Sequence, residues 1–153
     1  MASSADRSVT RGGLLLDSGY RVRMGTFAAT VRRRIEWYDT DAGGHHHYSV
    51  ILRLADAAEA ELLRANGLDW LFGSTPRVHQ EVNYRNRLWF GDETTTTVEM
   101  VELGRSSMRL SFEVTGPNGQ IAAEGSVVTV YSPPDVTSAV PWPDSVREVF
   151  AHR

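Results

Sequence analysis

The 153-residue sequence contains no cysteine. Disulfides, thiolate metal sites and a cysteine nucleophile are therefore excluded. No apolar run approaches the roughly 20 residues that a membrane helix needs. There is no internal repeat and no excess of one charge: the formal net charge is -3. Such a chain lacks the basic face that nucleic acid selects. Neither nucleic acid nor membrane is expected as a partner. What remains is ordinary for a globular chain, 41% hydrophobic and 23% charged. Its length fits one domain and suffices for a core without staples.

Met1 to about Arg23 reads as a flexible tail of Ser, Gly and Arg around Leu14-Leu15-Leu16. An export signal wants roughly 7–15 apolar residues and a small-residue cleavage site. Without them a cytoplasmic location is expected. Met24 offers an alternative start. The remainder divides into a domain over residues 24–134 and a C-terminal extension over 135–153.

Thr26 to Trp37, rich in Thr, Val, Arg and Ile, reads as a first strand. Its run Arg32-Arg33-Arg34 reads as charge guarding an exposed edge rather than a nucleic-acid patch. Asp39 to His46 is a glycine-containing loop. A helix follows from about Tyr48 to Ala65. Ile51, Leu54, Ala55, Ala58, Leu62 and Ala65 step by three or four along one stripe. Asn66-Gly67 ends it. Period two then takes over, giving strands at Arg77–Tyr84, Glu93–Leu103, Ser106–Thr115 and Gln120–Tyr131. Gly116-Pro117-Asn118-Gly119 is a hairpin turn. Thr94 to Thr97 suit an exposed strand face. Val146 to Ala151 reads as a short terminal helix. Short turns make the later strands antiparallel. One helix and one sheet must bury each other's apolar faces. The fold class is α+β: a five-stranded antiparallel sheet wrapped around one long helix, with open edges that invite dimerisation.

The segment Asp39-Thr40-Asp41-Ala42-Gly43-Gly44-His45-His46-His47-Tyr48 carries the chemistry. Two acids and two glycines stand directly before a helix. Unpaired N–H groups at a helix start attract an oxyanion. A neighbouring carboxylate can act on a carbonyl that they polarise. Glycine lets substrate approach the backbone. The pattern suits acyl transfer.

This segment resembles the hotdog-fold acyl-CoA thioesterases of the 4-hydroxybenzoyl-CoA thioesterase class, and Asp39 to Gly44 the YbgC-type branch in particular. The likeness continues in order through Arg77–Tyr84, Phe90-Gly91-Asp92-Glu93, Val101–Ser107 and Ile121–Gly125, and spans about Thr26 to Pro133. The resemblance implies hydrolysis of an acyl-CoA or acyl-carrier-protein thioester, without a cofactor. Asp41 matches the catalytic carboxylate, as general base or as nucleophile. Tyr48 matches the residue whose backbone N–H polarises the thioester carbonyl. His47 matches a position bordering the substrate. Arg105, with Ser106 and Ser107 beside it, stands where relatives bind the CoA phosphates; Arg87 and Arg109 are further candidates. Glu59 is a backup carboxylate, since some hotdog thioesterases use a helical glutamate. A homodimer is implied, with two shared sites, and a homotetramer is compatible with it.

Other readings stay open. Asp39 reads as structural, and Asp41 has a loop-stabilising alternative. The chain has alternatives as a non-catalytic acyl-CoA or acyl-carrier binding module and as a hotdog hydratase or dehydratase. The run His45-His46-His47 suggests a metal site, but neighbouring side chains at a helix entry diverge; no metal is expected.

Overall fold

The computed structural model describes residues 27–151, together with the backbone of Leu15–Leu16 and Tyr20–Arg23. In chain order the elements are β1 (Leu15–Leu16), β2 (Tyr20–Arg23), β3 (Ala28–Arg34), α1 (Val50–Ala65), β4 (Arg77–Tyr84), β5 (Glu93–Leu103), β6 (Ser107–Thr115), β7 (Ile121–Val130) and α2 (Asp144–Ala151). The strands form one sheet in the order β1-β2-β3-β5-β6-β7-β4, and every neighbouring pair is antiparallel. The five expected strands form its body. Two short strands from the N-terminal region extend it beyond β3; the rest of the expected tail lies outside the described residues.

One face of the sheet covers α1, which packs on β3, β5 and β6. The helix contributes Val50, Ile51, Leu54, Ala55, Ala58, Leu62 and Leu63. The sheet answers with Val98 and Met100 from β5 and with Met108, Leu110, Phe112 and Val114 from β6. The expected stripe drifts at its end: Leu63 is buried and Ala65 exposed, because 3.6 residues per turn rotate the stripe along the helix.

Two sequence expectations change. Thr94 and Thr96 are buried rather than exposed. Strand alternation aims them at the core while Thr95 and Thr97 face outward. Thr94 keeps its hydroxyl satisfied by donating to the Arg33 carbonyl at 2.9 Å. The arginine run, in turn, is not on an outermost strand, because β2 and β5 flank β3. Yet β2 pairs only Ala28 to Val31, so Arg32 to Arg34 still occupy a locally open edge, and all three are exposed.

The C-terminal extension packs back on this body. Trp142, Val146 and Phe150 join the core. The Trp142 indole donates to the Ser107 carbonyl at 3.1 Å, and Phe150 meets Phe27 edge-on at 4.4 Å.

Strand β4 ends the sheet on the other side and lies close to β7 at Gly125. A Cβ there would stand 2.0 Å from the Glu81 carbonyl oxygen and 2.8 Å from the Phe112 ring. The ring can swing away, but a paired backbone cannot. Gly125→Ala is expected to cost about 1–3 kcal/mol in urea unfolding. An unchanged midpoint would show that β4 shifts freely on β7.

Candidate active site

The loop between β3 and α1 is tied by its own polar groups. Trp37–Asp39 forms one 3-10 turn. Asp39 closes it, accepting the Glu36 N–H at 2.9 Å and the Arg53 guanidinium at 3.3 Å. Its carbonyl accepts the His47 N–H at 2.7 Å. This carboxylate is thereby spent on loop structure.

Asp41 differs. It is exposed. One carboxylate oxygen accepts the Gly43 N–H at 2.8 Å, an Asx-type turn that fixes its direction. The other oxygen carries no hydrogen bond among the described residues. Space at Gly43 is tight: a Cβ there would lie 3.0 Å from Asp41 Oδ1 and 3.2 Å from His45 Nε2, so both side chains would have to give by a few tenths of an ångström.

The peptide between His47 and Tyr48 is the second element. Its carbonyl accepts the Val50 N–H at 2.9 Å. A planar trans peptide then sends the Tyr48 N–H the opposite way. The flanking amides are engaged, His47 by the Asp39 carbonyl and Ser49 by His47 Nδ1 at 3.3 Å. The Tyr48 N–H has no partner among the described residues. Tyr84, at the end of β4, donates its hydroxyl to the Tyr48 carbonyl at 2.9 Å. Burial, and then the neighbouring Tyr48, raise the Tyr84 pKa, so that donor keeps its proton. The chain thus holds an unpaired donor in place just ahead of α1.

The three histidines separate. His45 is half-buried, stands edge-on to Trp89 at 6.0 Å, and its Nδ1 meets the His46 carbonyl at 3.1 Å. His46 is buried; its Nδ1 accepts the Leu88 N–H at 3.0 Å, and its own N–H donates to the Leu88 carbonyl at 2.8 Å. Burial first, and His45 second, lower the His46 pKa. His47 pairs through Nδ1 with the Ser49 hydroxyl at 2.8 Å. Among the described residues no three His, Asp or Glu side chains converge on a metal-sized site.

Asp41, His45, His46, Tyr48, Tyr84, Arg85, Asn86 and Arg87 surround one cleft of about 350 Å³. It brings together three of the residues that the sequence points to: Asp41, Tyr48 and Arg87. His46, rather than His47, lines it. Nothing in the sequence singles out Tyr84, Asn86 or His46. The first two arrive through the pairing of β4 with β7, and His46 through the bond to Leu88. Arg85 is held by Glu124 at 2.8 Å, whereas Arg87 forms no ion pair among the described residues. The sequence has no lysine, so arginine is its only fixed side-chain cation.

The other candidates lie elsewhere in the single chain. Register puts Glu93 and Tyr84 at the cleft end of the sheet and Leu103, Ser107 and Arg77 at the far end. Strand β5 separates the two ends by roughly 33 Å at about 3.3 Å per residue. Arg105, Ser106 and Ser107 form the far turn. The Arg105 carbonyl accepts from Trp142 at 3.0 Å and from Arg147 at 2.7 Å. Arg109 stands 3.7 Å from Glu102. Glu59 binds Arg77 at 2.7 Å, with Asp56 on the same guanidinium. Burial raises its pKa, and Arg77 partly offsets this. It faces a separate cleft with Phe72 and Thr75.

Comparison with known proteins fits this geometry. The model of the thioesterase-like superfamily matches residues 35–150. No curated protein sequence matches the chain. Among solved structures, a thioesterase from Thermus thermophilus, complexed with coenzyme A and Zn, is 31% identical, covering 82% of this chain and 92% of that one, with TM-score 0.73. A gentisyl-coenzyme A thioesterase is 26% identical over 80% of this chain and 99% of its own, with TM-score 0.70. A 1,4-dihydroxy-2-naphthoyl-CoA thioesterase from Synechocystis, at 17% identity and TM-score 0.72 over 82% of this chain and 96% of that one, shares the fold. With the match running through nearly all of the described chain, from the end of β3 to α2, the protein belongs to the thioesterase-like superfamily and is a thioester hydrolase of the hotdog fold.

Proposed function

We propose that the protein hydrolyses acyl-coenzyme A thioesters to a free acid and coenzyme A, with Asp41 as the acting carboxylate and the Tyr48 N–H as carbonyl donor. The observation that supports this reading is that Asp41, with one carboxylate oxygen unbonded, and Tyr48, with its N–H unpaired among the described residues, line the same cleft. The thioester carbonyl sits against that amide and the start of α1, where negative charge is stabilised. Asp41 takes a proton from water as hydroxide adds to the carbonyl carbon, or adds to that carbon itself and forms an anhydride that water opens. In the first route the tetrahedral species expels the thiolate as the C–S bond breaks; in the second the thiolate leaves as the anhydride forms, before water opens it; in both the thiolate is protonated by solvent. Glu59 is the reserve carboxylate.

A homodimer formed through β4 supports the phosphate contacts. This edge strand is largely exposed, with Val78 60% accessible, and its outer backbone groups await a partner. Antiparallel pairing of two such edges about a two-fold axis sets the far end of one sheet beside the cleft end of the other. Each Arg105–Ser107 turn, with Arg109, then serves the opposite cleft, where Arg87 already stands. Guanidinium groups suit the pyrophosphate by bidentate bonding.

The test is a panel of short aliphatic, long aliphatic and aromatic acyl-CoAs, with released thiol measured. Turnover of one class well above the rest supports the reading and names the acyl group. Binding without thiol release from any of them would convert it to a non-hydrolytic acyl-CoA module.

A further inference from the structure

We propose that His46 is a second hydrogen-bond donor to the reacting carbonyl, acting through Nε2–H beside the Tyr48 amide. This rests on the hydrolase reading above and adds a residue to it.

The protonation pattern follows from the backbone. Because the Leu88 N–H donates to Nδ1, a neutral His46 ring carries its hydrogen on Nε2. That nitrogen has no partner among the described residues, yet it is not one of the sealed, unpaired polar atoms. Since His46 lines the cleft, its one unused polar edge is offered there. The bond from Leu88 fixes the ring's orientation, and Tyr84 lies alongside it with 26° between planes and centroids 6.4 Å apart.

His45 has the opposite polarity. Donating from Nδ1 to the His46 carbonyl leaves its Nε2 bare. His47 does not line the cleft. Of the three, His46 alone presents a donor to the cleft in its neutral form. Burial keeps it neutral around neutral pH, so it polarises an oxygen without a full charge that would pair with Asp41. A neutral imidazole can serve as an electrophile in this way.

Two isosteric substitutions separate this role from a structural one. The Asn oxygen can replace Nδ1 as acceptor for Leu88 while removing the cleft donor. The Gln amide reaches the Nε2 position but gives up the Leu88 bond. With the acyl-CoA that the wild type turns over fastest, His46→Asn is expected to lower kcat by about 10²-fold or more with KM little changed. His46→Gln is expected to hold kcat within a few-fold while melting at a lower temperature. Equal losses in both variants, or wild-type kcat in His46→Asn, would overturn the proposal. Asp41→Asn measured alongside distinguishes the two levels. Its inactivity beside a fully active His46→Asn removes only His46 from the mechanism, whereas an active Asp41→Asn removes Asp41 as the acting carboxylate, and only a wild type that releases no thiol removes the hydrolase reading beneath both.

Discussion

Asp41→Asn is expected to lower kcat by about 10²–10⁴-fold and to leave the melting temperature unchanged. Asparagine keeps the oxygen that accepts the Gly43 N–H, so the turn survives. The substitution removes the free carboxylate oxygen, and with it the proposed base or nucleophile. Asp41 is exposed and forms no ion pair among the described residues, so its charge contributes little to folding. Thiol release under saturating acyl-CoA reads kcat, and thermal unfolding reads the fold. Retention of most of the wild-type kcat would eliminate Asp41 and pass the role to Glu59, whose half-buried carboxyl, with its pKa raised by desolvation, is the other candidate.

The second large effect is expected from Tyr48→Pro. Proline has no N–H, so the substitution deletes the proposed carbonyl donor and nothing else in the hydrogen-bond network, because that amide is unpaired. Its position, two residues before α1, is one that proline tolerates better than a helix interior. The expected loss is about 10²–10³-fold in kcat. Tyr48→Ala is the control: it removes the exposed ring but keeps the amide, and should stay within a few-fold of wild type. Circular dichroism checks that the proline variant keeps its helix. Equal kcat in the two variants would rule out the Tyr48 amide as a donor.

The fold is legible because its signals are local. Ile51, Leu54, Ala55 and Ala58 mark α1 by spacing, and Gly116 to Gly119 marks the last hairpin. Thr94 and Thr96 escape such reading because threonine suits either face of a strand; only the register against β3 and β6 turns them inward. The two extra N-terminal strands escape it because four residues or fewer give no period to detect. At the site, Asp41 and Tyr48 are legible through their order before the helix and through family resemblance. His46 is not, since three adjacent histidines look equivalent until their partners set them apart: His45 Nδ1 meets a carbonyl, His46 Nδ1 accepts the Leu88 N–H, and His47 does not line the cleft. Arg105 and Glu59 show the same limit: sequence can nominate a side chain, but the sheet register decides which end of the molecule it occupies.

The reciprocal bonds between His46 and Leu88 have a dynamic consequence. They lock the loop carrying Asp41 to the connection between β4 and β5, and Ile35 fastens the base of that connection through Gly91 and Asp92. Two segments about forty residues apart therefore open and close as one cooperative unit rather than as independent loops. Amide exchange at Leu88 should report the opening of the loop that carries Asp41. Substitutions in the Leu88 to Asp92 turn then act on turnover by changing how often the cleft is assembled, although they need not touch the substrate.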